Sequence, residues 1–202
     1  YLRYENWLNS LVEGNEFYPS IYRECIIASP NWLVKRYCFE TDFQFSDLTY
    51  PEDYDMVFKW YQTGRPIVSI SEVTHLWREH QARTSRHSDD YQQESFFKLK
   101  TNYFVDLEIE REEKIQLIGT GIKGKLVAKI LDGKKIEFDW FDFKADQNSS
   151  QILSRKIKNV LDLKNDKKTI LTVWPTDKKT QNEILKFCFE HGFIFGENCW
   201  LF

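Results

Sequence analysis

The stretch Gly119-Thr120-Gly121-Ile122-Lys123-Gly124 constrains the fold of this chain more than any other. An apolar run at 115–118 precedes it, and residues 122–131 carry an apolar repeat at helical spacing after it. A strand, a glycine-rich loop and a helix in that order begin a parallel β-α-β unit. Its glycines permit a tight turn and a close approach of helix to strand. Apolar runs at 136–141, 170–174 and 199–202 read as further strands, and 180–190 reads as a helix stopped by Gly192. The alternation predicts a small Rossmann-like parallel α/β domain over 111–202, with a sheet of about four strands. Asp139 and Asp142 fall near the end of the second strand, where such units place an acid toward a ribose. Gly119, Gly121, Gly124 and Asp142 are therefore candidate phosphate- or nucleotide-binding residues. Equally, the glycines of such a loop can serve only close packing.

The front of the chain has a different character. The solvated run Glu108-Ile109-Glu110-Arg111-Glu112-Glu113 marks a boundary, placed between 110 and 111. Residues 1–110 hold 11 Lys and Arg against 18 Asp and Glu, while 111–202 hold 17 against 13. That asymmetry argues for two units with different surfaces. The whole chain carries a net charge of −3, and its basic and aromatic residues fall on no single stripe, so nucleic acid is not an expected partner. Cys25, Cys38, Cys188 and Cys199 form no CxxC pair and lie near no His at metal-binding spacing. They read as reduced thiols of a cytoplasmic protein. No apolar run reaches bilayer-spanning length, and no signal peptide is visible.

In residues 1–110, 1–13 and 90–107 read as helices, and 31–35, 67–70 and 73–77 as strands. Residues 52–63 form the clearest helix, with Tyr54, Val57, Phe58 and Tyr61 on one face and Gly64 as its stop. Glu52 and Asp53 stand in its first turn, where the macrodipole stabilises carboxylates. Either acid can be a simple cap, or a general base for a sugar hydroxyl. Between Trp77 and Arg86 lie Arg78, His80, Arg83 and Arg86. Guanidinium forks match phosphate oxygens, so the segment is either an anion cradle or a solvated loop with local ion pairs.

Three blocks, in order, resemble the C-terminal half of a family 2 glycosyltransferase of GT-A fold. They are Glu24-Cys25-Ile26-Ile27-Ala28-Ser29-Pro30-Asn31-Trp32-Leu33-Val34-Lys35-Arg36, Pro51-Glu52-Asp53-Tyr54-Asp55, and Trp77-Arg78-Glu79-His80 with Arg83-Thr84-Ser85-Arg86. The resemblance extends to a bacterial subgroup with an appended Rossmann-like domain. It implies an inverting transferase that moves a sugar from a nucleotide-sugar donor to a glycan or other hydroxyl acceptor, in polysaccharide or cell-surface glycan synthesis. It also implies a divalent metal, Mn or Mg, and peripheral membrane association through the acceptor. By resemblance Asp53 is the base and Glu52 its support. His80 approaches the diphosphate or its metal, and Arg78, Arg83 and Arg86 neutralise the leaving diphosphate. The metal-binding Asp-x-Asp of the nucleotide-binding half does not occur before Glu24. The expectation is a partial GT-A domain, 1–110, that lacks that half and is inactive alone. The alternative is a non-catalytic regulatory module that binds a nucleotide or sugar phosphate at the Gly119 to Gly124 loop.

Overall fold

The structure is a computed structural model that describes residues 2–14, 17–40, 44–46, 50–76, 88, 91–145 and 151–202. The chain divides into two compact units, Tyr1–Leu99 and Lys100–Phe202. This division falls inside a long helix, a few turns before the boundary expected at 110/111.

The first unit is helical among its described residues. It contains α1 (Leu2–Gly14), α2 (Tyr37–Glu40), α3 (Glu52–Gln62) and the first part of α4 (Gln93–Glu108), with short 3-10 turns at Tyr18–Ser20 and Ser29–Asn31. α3 is the core of the unit. Its Tyr54, Met56, Val57 and Phe58 are fully buried, and Ile21, Tyr22 and Ile26 are buried as well. Tyr54 stacks on Phe58 at 4.8 Å, Tyr22 tilts against Phe58 at 5.2 Å, and the Tyr54 hydroxyl donates to the Ile21 carbonyl. The helix ends where the sequence indicates. Gly64 has φ +64°, and the Arg65 amide reaches back to the Trp60 carbonyl at 2.9 Å, a left-handed glycine stop.

Three expected strands are not formed. Residues 31–35, 67–70 and 73–76 are in no ladder, and Leu33, Val68, Ile70, Val73 and Leu76 are exposed. A strand exists only by pairing, and no described segment of this unit pairs with them. Trp77, the end of the third, lies outside the described residues.

The second unit is α/β. Its six strands are β1 (Ile115–Ile118), β2 (Phe138–Asp142), β3 (Gln151–Ile152), β4 (Arg155–Asn159), β5 (Thr169–Leu171) and β6 (Cys199–Leu201), with helices α5 (Ile122–Gly133) and α6 (Lys178–Glu190). The order is β3-β4-β2-β1-β5-β6, and every neighbouring pair is parallel except β3 with β4. All four residues of β1 are buried, as a central parallel strand requires. β2 and β4 are added on one side of β1, then β5 and β6 on the other. The order thus reverses between β1 and β5, and the loops after both strands meet at that carboxyl edge. The end of α4 belongs to this unit, where Phe104 sits edge-on against Trp200 at 5.1 Å and Phe202 at 5.6 Å.

Gln116 is the one polar residue of β1, and it is buried. Its Nε2 donates to the Lys164 carbonyl at 2.7 Å and to Thr169 Oγ1 at 2.9 Å, and its Oε1 accepts from the Lys164 amide at 2.9 Å. Gln116→Ala is expected to cost about 1–3 kcal/mol, because Thr169 and the Lys164 backbone lose their bonds in a partly buried site. Hydrogen exchange checks it: the Lys164 amide should lose protection while the β5 amides keep part of theirs.

Candidate functional site

Asp53 lies in the first turn of α3, half-buried, beside the fully buried Tyr54. Pro51 precedes the helix in an extended conformation, and Glu52, Asp53 and Asp55 crowd the end where the backbone amides point outward. Asp53 Oδ1 accepts from the Tyr54 amide at 2.8 Å, and the Ser29 hydroxyl donates to the same carboxylate. Burial raises the Asp53 pKa above its ordinary value, neighbouring Glu52 adds to the rise, and the hydrogen bonds offset only part of it. Glu52 is held separately, its Oε2 accepting from the Tyr91 hydroxyl at 2.6 Å. Burial, and then that bond, push the Tyr91 phenol well above its ordinary value. The two acids are thus differentiated. Glu52 is fixed by a phenol, and Asp53 is kept basic by desolvation.

The sign of the pH effect follows from that shift. A carboxyl whose folded pKa is raised contributes stability that is present below its unfolded pKa and lost as pH rises through the folded one. Asp53→Asn, which retains an acceptor for Tyr54 and Ser29, should therefore stabilise the first unit at pH 7. The gain should vanish below about pH 4, the ordinary aspartate value. Denaturant unfolding across pH 3–8 checks this, and an Asn variant less stable than the parent at pH 7 contradicts it.

Arg78, His80, Arg83 and Arg86 lie outside the described residues. Among the described residues, no group of three or more His, Cys, Asp or Glu is placed to hold a metal ion, and no helix is long and apolar enough to cross a membrane.

In the second unit the glycine loop stands at the carboxyl edge where the strand order reverses. Gly119 has φ +107°, and a Cβ there would meet Val173 Cγ2 at 2.4 Å and Thr172 Oγ1 at 2.5 Å. A Cβ on Gly124 would lie 1.9 Å from the Gly119 carbonyl oxygen. These two glycines allow the turn and the contact of α5 with the loop. Gly121, at the start of α5, faces open space instead. Asp142, at the end of β2, closes the loop. Its Oδ2 accepts from the Thr120 amide at 2.8 Å and the Thr120 hydroxyl at 2.6 Å, and its Oδ1 accepts from the Lys144 amide at 2.9 Å. The loop therefore already holds a carboxylate of its own chain. A cleft of about 720 Å³ opens beside it, between the loop, the end of β2 and the first turns of α6.

Sequence reading located Glu52, Asp53, the three glycines and Asp142. It missed the side chains that set their chemistry. Ser29 was one residue of the Glu24 to Arg36 block with no role of its own, Tyr91 fell inside the helix read over 90–107, and Thr120 was a loop position without a role. The sole signal for Thr120 was a hydroxyl residue between two glycines, one strand away from an aspartate. The chain matches no known protein family, no curated protein and no solved structure.

Proposed function

We propose that residues 1–110 are the acceptor side of an inverting GT-A glycosyltransferase, and that the sheet unit is its appended Rossmann-like domain. The observation that carries the reading is the state of Asp53. It is a half-buried carboxylate at a helix start, held by Ser29 and Tyr54 and made more basic by desolvation. An acceptor hydroxyl gives its proton to Asp53 as its oxygen attacks the anomeric carbon of the donor sugar. The bond from that carbon to the nucleoside diphosphate breaks in the same step, and the diphosphate leaves with the electron pair. A carboxylate of raised pKa takes that proton more readily than an ordinary one at neutral pH. Glu52, anchored by Tyr91, keeps a second negative charge beside Asp53 and so holds its proton affinity up. The roles of Arg78, Arg83, Arg86 and His80 at the leaving diphosphate belong to the same reading, because negative charge grows on the departing oxygen. So do a divalent metal, a cytoplasmic location and contact with a membrane through the acceptor.

The test is stereochemical. The full-length gene product, given nucleotide-sugar donors, a hydroxyl acceptor and manganese, should form a product whose anomeric configuration is opposite to the donor's, as read by proton NMR. Retention of configuration would contradict a single displacement and remove the role given to Asp53.

A further inference from the structure

The positive charge at the back of the chain is gathered in one place. Residues 111–202 hold 17 Lys and Arg against 13 Asp and Glu. Residues 122–135, which are α5 and the turn after it, hold five Lys against one Asp. Outside that segment the charges of 111–202 balance, twelve against twelve. The one acid, Asp132, is already engaged, its Oδ1 accepting from Arg155 Nε at 3.1 Å.

Helix stability explains only part of this. The macrodipole favours cations at a carboxyl end, which suits Lys134 and Lys135 just past α5. It favours acids at the amino end. There the first turn has no acid and carries Lys123, with Lys125 just behind. The outer face of the helix is also not simply polar. α5 buries Gly124, Val127, Ala128 and Leu131. At about 3.6 residues per turn, the opposite side carries Ile122, Leu126 and Lys129 on one ridge, with Lys125 on one flank and Lys123 and Ile130 on the other. Ile122 is 80% exposed, Leu126 and Ile130 are partly exposed, and Lys125, Lys129, Lys134 and Lys135 are exposed.

A lone exposed aliphatic residue is ordinary. One at the head of an aliphatic ridge flanked by lysines is what an interfacial helix presents to a bilayer. The apolar groups enter the headgroup boundary, and the long lysine stems carry their charges to anionic headgroups. Nucleic acid would use the lysines but leave Ile122 in water, and residues 122–135 contain no aromatic ring to stack on a base.

We propose that the outer face of α5 is a membrane-contact surface for bilayers containing anionic phospholipid. Ile122 and Leu126 face the acyl boundary, and Lys123, Lys125, Lys129, Lys134 and Lys135 lie among the headgroups. The contact is made by the protein's own surface and not through an acceptor, so it holds whether or not the transferase reading does.

The test is sedimentation of the 202-residue chain with vesicles of phosphatidylcholine alone, and of phosphatidylcholine mixed with an equal part of phosphatidylglycerol. The chain should pellet with the anionic vesicles at low salt, stay in solution with the neutral ones, and be released as salt rises. Lys125→Glu with Lys129→Glu should weaken binding at least about tenfold, because each lysine near an anionic surface contributes about fivefold. Lys178→Glu with Lys179→Glu makes the same change of net charge at exposed positions of α6 and should cost less than about threefold. Ile122→Ser should weaken binding about threefold or more with an unchanged circular dichroism spectrum, since it removes only exposed apolar surface. Equal pelleting with neutral vesicles, none with anionic vesicles at low salt, equal losses in the two lysine pairs, or full binding by Ile122→Ser would each overturn the proposal. So would displacement of the chain from the vesicles by a short DNA duplex at an equal concentration of phosphate, which would assign the lysines to nucleic acid.

Discussion

Gly124→Ala is expected to disrupt the sheet unit, lowering its stability by about 3 kcal/mol or more. The new methyl group would stand 1.9 Å from the Gly119 carbonyl oxygen and 2.8 Å from its carbon. Those are backbone atoms at the end of β1, so no side chain can rotate away. Relief requires α5 to move off the strand, which would also pull Thr120 from Asp142. Gly121→Ala three residues earlier supplies the control. Gly121 has φ −68° and open space at its Cβ, so the change should cost about 1 kcal/mol or less, the usual difference between glycine and alanine at a helix start. Near-UV circular dichroism and hydrogen exchange in β1 would separate the two. A Gly124→Ala chain with parental exchange in β1 would contradict the packing described here.

Asp53→Asn is expected to remove about 10²–10⁴-fold of the turnover of the full-length gene product, the usual contribution of a positioned general base. The amide is nearly isosteric and can still accept from Tyr54 and Ser29, so the loss is that of proton affinity alone. Tyr91→Phe is the informative comparison. It frees Glu52 while leaving Asp53 in place, so turnover should fall by less than about tenfold and its acid limb should move. An equal loss in both variants would mean that the pair acts only by holding the helix start.

The parts of the fold legible in sequence are those with a local or periodic signal. β1 reads as a strand because it is buried along its length. α3 reads as a helix because its apolar residues recur on one face and a glycine stops it. β4 was missed because only Ile157 is buried, among Arg155, Lys156 and Lys158. β3 was missed because it has two residues and exists only as the antiparallel partner of β4. The unformed strands at 67–70 and 73–76 fail in the opposite way. Their composition favours strands, but pairing is a property of the neighbour. The same divide holds at the sites. An acid at a helix start and a loop of spaced glycines are visible in a linear chain. The Tyr91 bond to Glu52 spans 39 residues and the Thr120 bond to Asp142 spans 22, and neither leaves a trace in local pattern.

The most direct measurement of the central claim is a pair of constants for Asp53→Asn in the full-length gene product, the single-turnover rate at saturating donor and the donor dissociation constant. If Asp53 takes the acceptor's proton, the rate falls by about two orders of magnitude or more while donor affinity stays within about threefold. A near-parental rate, or a loss carried wholly by donor affinity, would contradict the account.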